Sequence, residues 1–180
     1  MLNIPNFFSI ARILLVPLFI ILLINQAYPW ALLTFLVAAV SDAMDGLLAR
    51  LLHQRTVLGA YLDPAADKLL SASAYITLAI LNILPSWLTV LVISRDVIIS
   101  AGVLILFLSS HRLEIEPSKI SKVTTAFQFC TVLMALLANT FLSVPGWLLL
   151  FLIWGTAITT VLSGLKYIGK GIKIFNQLGP

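Results

Sequence analysis

Long apolar segments alternate with short polar breaks along the chain. Six of the segments have about 20 residues, the length that an α-helix needs to cross the hydrocarbon core of a bilayer. Turn-forming residues such as Tyr28-Pro29 and Val144-Pro145-Gly146 separate them. The pattern therefore predicts an all-α integral membrane protein with six transmembrane helices in a single domain over residues 1–180. We place the helices at Phe7–Asn25, Trp30–Arg50, Leu58–Leu81, Ser86–Ser109, Lys122–Phe141 and Gly146–Lys166.

The two ends of the chain have patterns of their own. Leu2–Arg12 carries Pro5 and Asn6 before the apolar run, which predicts a short interfacial helix or, as the alternative, a plain helix start. Lysines three to four residues apart in Lys166–Lys173 predict a tail that rests on anionic headgroups. The N-terminal segment lacks the pattern of a signal peptide or of a transit segment, so we expect a bacterial protein.

Composition supports the membrane class, and charge orients the helices. The chain is 61% hydrophobic and 10% charged, whereas soluble domains have about 25% charged residues. The connections after the first, third and fifth segments carry no charge, and the opposite ends of the segments collect the basic residues. The positive-inside rule therefore predicts cytoplasmic termini and a cytoplasm-facing site in the bacterial inner membrane. These basic residues border apolar segments, so we expect membrane lipids as partners and no nucleic acid.

All five aspartates lie inside the apolar segments. An Asp at the centre of a membrane helix costs about 2.5–3.5 kcal/mol, so such acids indicate a functional site. Asp42 and Asp45 are three residues apart and Asp63 and Asp67 are four apart, so each pair shares one helix face. Four carboxylates suit Mg²⁺ or Mn²⁺, and two such ions can clamp a phosphoryl group. An ion-coupled transporter is the alternative function for intramembrane carboxylates.

The spacing of these aspartates resembles a known signature, that of the CDP-alcohol phosphatidyltransferase family. Its eight fixed positions are matched by Asp42-Ala-Met-Asp45-Gly46-Leu-Leu-Ala49-Arg50 and, eight residues later, by Gly59-Ala-Tyr-Leu-Asp63-Pro-Ala-Ala-Asp67. The resemblance implies a six-helix enzyme, active as a homodimer, that moves the phosphatidyl group of CDP-diacylglycerol to a hydroxyl group and releases CMP. The transporter alternative does not explain this complete match.

The resemblance also implies a role for each matching residue. It implies that the four aspartates hold two divalent metal ions and that Asp67 is also the general base. It further implies that a larger set contacts CDP-diacylglycerol: Asn6, Ser9, Gly46, Ala49, Arg50, Thr56 and Gly59. Plainer alternatives stay open, in which Arg50 is a topological anchor, the two glycines serve helix packing and Ser9 only starts a helix.

Further residues bear on the identity of the acceptor. Ile93-Ser94-Arg95-Asp96-Val97 and the run from Pro117 to Gln128 resemble segments of cardiolipin synthases of the mitochondrial type. Phosphatidylglycerophosphate synthases usually have a second lysine after Lys122, which suits a phosphomonoester dianion, and this chain lacks it. The resemblance therefore favours phosphatidylglycerol as acceptor, with glycerol 3-phosphate as the alternative. The candidate acceptor-binding residues are Arg95, Arg112, Lys119 and Lys122.

Overall fold

The structure is a computed structural model that describes residues 4–51, 57–108, 119–140 and 143–177. Side chains are described for 10–41, 65–102, 119–140, 143–169 and 171. The described residues form six α-helices, each overlapping a predicted segment, so the all-helical prediction is confirmed. The helices are α1 (Ile4–Ile24), α2 (Tyr28–Leu51), α3 (Val57–Ile80), α4 (Ser86–Leu108), α5 (Lys119–Ala138) and α6 (Gly146–Gln177).

Left-handed caps end α1 and α3. Gln26 and Asn82 both have a φ of 57°, the conformation in which the residue after a helix reverses the chain. At the end of α1, the Ala27 N–H donates to the Leu22 carbonyl and the Gln26 N–H donates to the Leu23 carbonyl, both at 2.9 Å. The same two bonds recur around Asn82. These Schellman motifs pair the last helical carbonyls, which lets the chain turn within a few residues.

The first and last helices differ from the prediction in their extent. The predicted interfacial helix is not a separate element, because α1 is continuous from Ile4 to Ile24 and the plain helix start is observed. Pro5 does not break α1, because it falls in the first turn, where a missing N–H removes no helical hydrogen bond. At the other end, α6 continues past the predicted end at Lys166 as far as Gln177, so the basic tail is helical.

The chain divides into two compact units, of which unit 1 comprises Met1–Leu84 and Val132–Val144. It contains α1, α2, α3 and the end of α5. Within it, α1 packs against both α2 and α3. The ring of Phe19 on α1 lies 5.9 Å from that of Phe35 on α2, and both side chains are buried. Side-chain packing of this kind, rather than removal of apolar surface from water, associates helices in a lipid environment.

Unit 2 comprises Pro85–Thr131 and Pro145–Pro180, and therefore contains α4, most of α5 and α6. Within it, α4 packs against α6, with the rings of Trp87 and Trp154 5.5 Å apart. Gly155 allows a side chain of α5 to approach α6 closely. A Cβ atom at this position would lie 2.5 Å from Cε1 of Phe127, closer than real Cβ contacts come.

Large apolar side chains cover the outside of the helices. Trp147 and Leu14, for example, are 70% and 68% exposed. Among the residues whose side chains are described, Lys119–Ala138 and Gly146–Gly169 are long and apolar enough to cross a membrane, and Ile10–Ile24 and Tyr28–Ser41 are the apolar stretches of α1 and α2. An apolar surface of this extent is typical of contact with a membrane. The number of spans and the side on which the termini lie stay predictions.

Candidate active site

The four aspartates of the sequence signature lie on two helices of unit 1. Asp42 and Asp45 belong to the last part of α2, and Asp63 and Asp67 belong to the first half of α3. Asp45 lies six residues before the end of α2 and Asp63 lies six residues after the start of α3, which is roughly 9 Å along each helix axis. Asp45 and Asp63 therefore lie towards the helix ends that the connection 52–56 joins, and Asp42 and Asp67 lie about one helical turn further from those ends.

The side chain of Asp67 is the one of these four that the structure describes. Asp67 is half-buried, directly after the fully buried Ala66. The side chains of Asp42, Asp45 and Asp63 lie outside the described set. Among the described residues, no three His, Cys, Asp or Glu side chains form a group that could hold a metal ion. The two-metal site therefore stays a prediction, and the chemistry of four carboxylates supports it.

The predicted contacts of CDP-diacylglycerol belong to the same unit. Asn6 and Ser9 lie in the first turns of α1, and Gly59 lies in the first turn of α3. The end of α2 carries Gly46, Ala49 and Arg50, and their side chains, like those of Asn6 and Ser9, lie outside the described set. Thr56 lies outside the described residues. The predicted donor-binding positions other than Thr56 thus lie on the same three helices of one unit as the aspartates.

Arg12 is a buried cation of unit 1 whose depth the sequence did not reveal. The sequence places Arg12 near the start of the first apolar segment, yet its side chain is 1% exposed on α1, which packs against α2 and α3. A guanidinium stays charged in proteins, and its burial is costly without a nearby anion. The acidic residues in the sequence of unit 1 are the four aspartates. The sequence feature that could have indicated the burial of Arg12 is its position within a mostly apolar helix.

Arg95 joins the three helices of unit 2. It is 4% exposed on α4, and its Nη1 donates to Asp96 Oδ1 at 2.7 Å. Ser163 on α6 accepts hydrogen bonds from Nε at 3.3 Å and from Nη2 at 2.9 Å. Nη2 also donates to the hydroxyl of Ser121 on α5. Arg95 and Asp96, which are neighbours in the sequence, thus form an ion pair, whereas no sequence motif indicates the contact with Ser163.

The remaining predicted acceptor contacts are less enclosed. Lys119 and Lys122 lie in the first turn of α5, and both are exposed. Arg112 lies outside the described residues. The positive charge that the structure describes on the acceptor side is therefore divided between a buried guanidinium and two exposed ammonium groups.

Neutral polar side chains form a buried seam between α5 and α6. Thr131 donates to the Phe127 carbonyl at 2.8 Å and shares a hydrogen bond of 2.7 Å with Thr156. Thr124 donates to the Thr159 carbonyl at 2.9 Å, so the two helices run antiparallel. The threonine-containing run that resembles cardiolipin synthases thus contributes in part to helix packing. The seam on α6 was not predicted, although Thr156, Thr160 and Ser163 have the spacing of one helix face.

Comparisons with known proteins agree with the signature. The family model of the CDP-alcohol phosphatidyltransferases matches residues 2–162. A Homo sapiens protein named cardiolipin synthase (CMP-forming) is 36% identical over 190 residues, which cover 95% of this chain and 62% of the relative. This chain thus spans less than two thirds of that relative's length.

The alignment with one bacterial relative covers both sequences almost completely. The Bacillus subtilis protein named CDP-diacylglycerol–glycerol-3-phosphate 3-phosphatidyltransferase is 32% identical over 190 residues, 94% of this chain and 95% of the relative. A Streptomyces coelicolor cardiolipin synthase (CMP-forming) is 41% identical over 111 residues, 57% of this chain and 52% of the relative. With the family model matching most of its length and the complete signature on α2 and α3, the chain belongs to the CDP-alcohol phosphatidyltransferase family.

Proposed function

We propose that the protein transfers the phosphatidyl group of CDP-diacylglycerol to phosphatidylglycerol, forming cardiolipin and CMP. The observation that carries the proposal is the complete family signature, whose two aspartate pairs lie at corresponding distances along α2 and α3 of unit 1. A bilayer is the natural setting for this reaction, because both substrates carry acyl chains and the protein presents an apolar surface.

The residues of unit 1 account for the chemistry. The carboxylate of Asp67 accepts the proton of the free primary hydroxyl of phosphatidylglycerol. The hydroxyl oxygen then forms a bond to the phosphorus that bears diacylglycerol, and the bond from this phosphorus to the bridging oxygen of CMP breaks. Asn6, Ser9, Gly46, Ala49, Arg50, Thr56 and Gly59 bind the donor in this proposal, and the Arg50 guanidinium makes charge-assisted hydrogen bonds to the diphosphate.

Asp42, Asp45, Asp63 and Asp67 fit two divalent cations, because hard carboxylate oxygens are the ligands that Mg²⁺ and Mn²⁺ prefer. When bound, these ions supply stabilisation of the negative charge on the diphosphate and on the leaving phosphate. In this proposal, the role of the four aspartates is to hold both ions at fixed positions in unit 1.

The proposed identity of the acceptor is argued from residues of unit 2. Arg95, Arg112, Lys119 and Lys122 are the proposed contacts of the acceptor phosphate. The motif around Arg95 and the missing second lysine after Lys122 favour phosphatidylglycerol, as does the likeness to the human cardiolipin synthase. Glycerol 3-phosphate is a second candidate, because a glycerol-3-phosphate phosphatidyltransferase matches this chain over 95% of its own length.

We place the enzyme in the inner membrane of a bacterium as a six-span homodimer with cytoplasmic termini. The basic residues at the opposite helix ends support this orientation. The starts of α2, α4 and α6 fit a membrane–water interface, because each carries an exposed tryptophan near the uncharged connections: Trp30, Trp87 and Trp147. Tryptophan is enriched at membrane–water interfaces. The aspartates then lie towards the opposite, basic side of the membrane.

A reconstituted assay tests the proposal. Purified protein receives CDP-diacylglycerol and Mg²⁺ or Mn²⁺, with phosphatidylglycerol and glycerol 3-phosphate offered separately, and the lipid products are identified by mass. We expect CMP and cardiolipin with phosphatidylglycerol. Consumption of glycerol 3-phosphate alone would replace this proposal with the phosphatidylglycerophosphate synthase function. Absence of CMP release with either acceptor would reject phosphatidyl transfer to both.

A further inference from the structure

The guanidinium of Arg95 is occupied on most of its donor positions. Arginine has five N–H groups. In the described part of the chain, Nε donates to Ser163, Nη2 donates to Ser163 and Ser121, and Nη1 donates to Asp96. These four bonds leave one N–H, on Nη1, for any further acceptor. Arg95 therefore differs from an arginine on a flexible surface, which can present two parallel N–H groups.

Ser163 is central to this arrangement. Its hydroxyl is fully buried and accepts from Nε and from Nη2. These two nitrogens form one of the edges with which a guanidinium binds a phosphate through two parallel hydrogen bonds. The bond to Ser163 therefore occupies an edge that a phosphate dianion would otherwise engage.

Asp96 lowers the charge that Arg95 presents. Its carboxylate lies 2.7 Å from Nη1, and its side chain is 15% exposed. The pair is therefore enclosed, so solvent screens it less than an exposed ion pair. A ligand with a single negative charge suits a partly neutralised guanidinium with one available N–H better than a dianion does.

We propose that Ser163 is a positioning residue that, through Arg95, makes the acceptor site selective for a phosphodiester over a phosphomonoester. Ser163 and Ser121 hold the guanidinium so that it offers one N–H to the acceptor phosphate, and Asp96 reduces its charge. The inference rests on the proposed function, because it takes Arg95 as a contact of the acceptor. It deepens that function by assigning the acceptor class to a hydrogen-bond arrangement within unit 2.

Ser163→Ala provides the direct test. The readout is the ratio of kcat/KM for phosphatidylglycerol to kcat/KM for glycerol 3-phosphate, measured by CMP release, together with the KM for CDP-diacylglycerol. Loss of the hydroxyl releases Nε and one Nη2 N–H from α6, so the guanidinium can turn and present two parallel N–H groups to a dianion. We expect the ratio to fall about tenfold, as for the loss of a hydrogen bond to a charged group, with the donor KM unchanged.

Two matched variants separate positioning from general packing. Thr156→Ala removes another fully buried hydroxyl from the same helix, one that contacts Thr131 rather than Arg95, and should leave the ratio unchanged. Ser163→Thr keeps a hydroxyl at the position and should restore the wild-type ratio. If Ser163→Ala does not fold, Ser121→Ala takes its place, and its ratio should fall in the same direction.

The outcomes distinguish this inference from the function on which it rests. An unchanged ratio in the folded variant, Ser163→Ala or its substitute Ser121→Ala, overturns the role of Ser163 while the wild-type activity stands. A Thr156→Ala variant with an equal fall also overturns it, because the effect would then be one of packing. Wild-type protein that consumes only glycerol 3-phosphate overturns both the selectivity and the proposed acceptor, and this result is read before any variant is made.

Discussion

Unit 1 and unit 2 differ in the polar groups that their helices carry. The helices of unit 1 carry four aspartates and a buried arginine, Arg12. In unit 2, Arg95 is paired with the enclosed Asp96, and the α5–α6 seam is lined by neutral hydroxyls that bond to each other and to backbone carbonyls. Buried hydroxyls of this kind find their hydrogen-bond partners within a pair of helices, whereas buried carboxylates need cations to balance their charge. The difference suggests that unit 1 is built to bind ions and unit 2 to fix the geometry of the acceptor contacts.

We expect the largest effect from substitutions that remove the proposed ion-binding aspartates of unit 1. Asn at Asp42, Asp45 or Asp63 should abolish turnover, because each change removes a ligand of the proposed metal site that stabilises the charge of the reaction, and a chelator should do the same reversibly. CMP release by purified variants measures the effect. Thr131→Ala in unit 2 is the control and should stay active. Full activity in excess EDTA would contradict the two-metal interpretation.

The next substitution separates proton transfer from donor binding within unit 1. Asp67→Asn should slow turnover about 10²–10⁴-fold, the usual contribution of a general base. Binding of CDP-diacylglycerol should partly survive, because the donor contacts on α1 and α2 remain. Titration calorimetry and CMP release together check both statements. Turnover within tenfold of the wild type would show that the base lies elsewhere.

Arg12 tests whether buried charge also stabilises unit 1. We expect an aspartate of unit 1 to be the counter-ion of Arg12, so Arg12→Gln should leave that carboxylate without its counter-charge and lower the free energy of unfolding by about 3–5 kcal/mol. Arg12→Lys keeps the charge and should lose less. Unfolding in mixed micelles, followed by tryptophan fluorescence, measures the difference. Lys166→Gln, an exposed position on α6, is the control, and an equal result for the two glutamine variants would refute the role of Arg12.

The smallest effect concerns the packing of unit 2. Gly155→Ala should cost about 1–3 kcal/mol, as overpacking does, because the new methyl group would lie 2.5 Å from the Phe127 ring. Gly169→Ala on the same helix meets no atom within 4 Å and should be neutral or stabilising. The same unfolding measurement decides, and a Gly155→Ala variant as stable as the wild type would show that the Phe127 ring moves freely.

The helices were predictable because their main determinants are local. Apolar runs of about 20 residues, interrupted by Pro, Gly and Asn, determine where a membrane helix begins and ends. The exceptions lie at the ends of the chain. Pro5 stands before the apolar run but falls where a helix tolerates proline, so α1 includes it. The lysines from Lys166 onwards end the predicted span without ending the helix.

The candidate site was predictable only where it has a sequence signature. The aspartates have fixed local spacing, whereas Ser163 reaches Arg95 across 68 positions of sequence. A serine in an apolar helix gives no indication of its partner until the helices pack. The burial of Arg12 was missed for a related reason, since the sequence shows that an arginine is near a span end but not which way its side chain faces.

The length of α6 has a consequence for the C-terminal end of the chain. The predicted span ends at Lys166, yet the helix continues for eleven residues to Gln177, which is roughly 16 Å at the rise of an α-helix. In the proposed bilayer, this extension carries α6 beyond the hydrocarbon layer. Ser163 lies one helical turn before the extension, so a molecule that binds the C-terminal end would contact the same continuous helix that carries the hydroxyl bonded to Arg95.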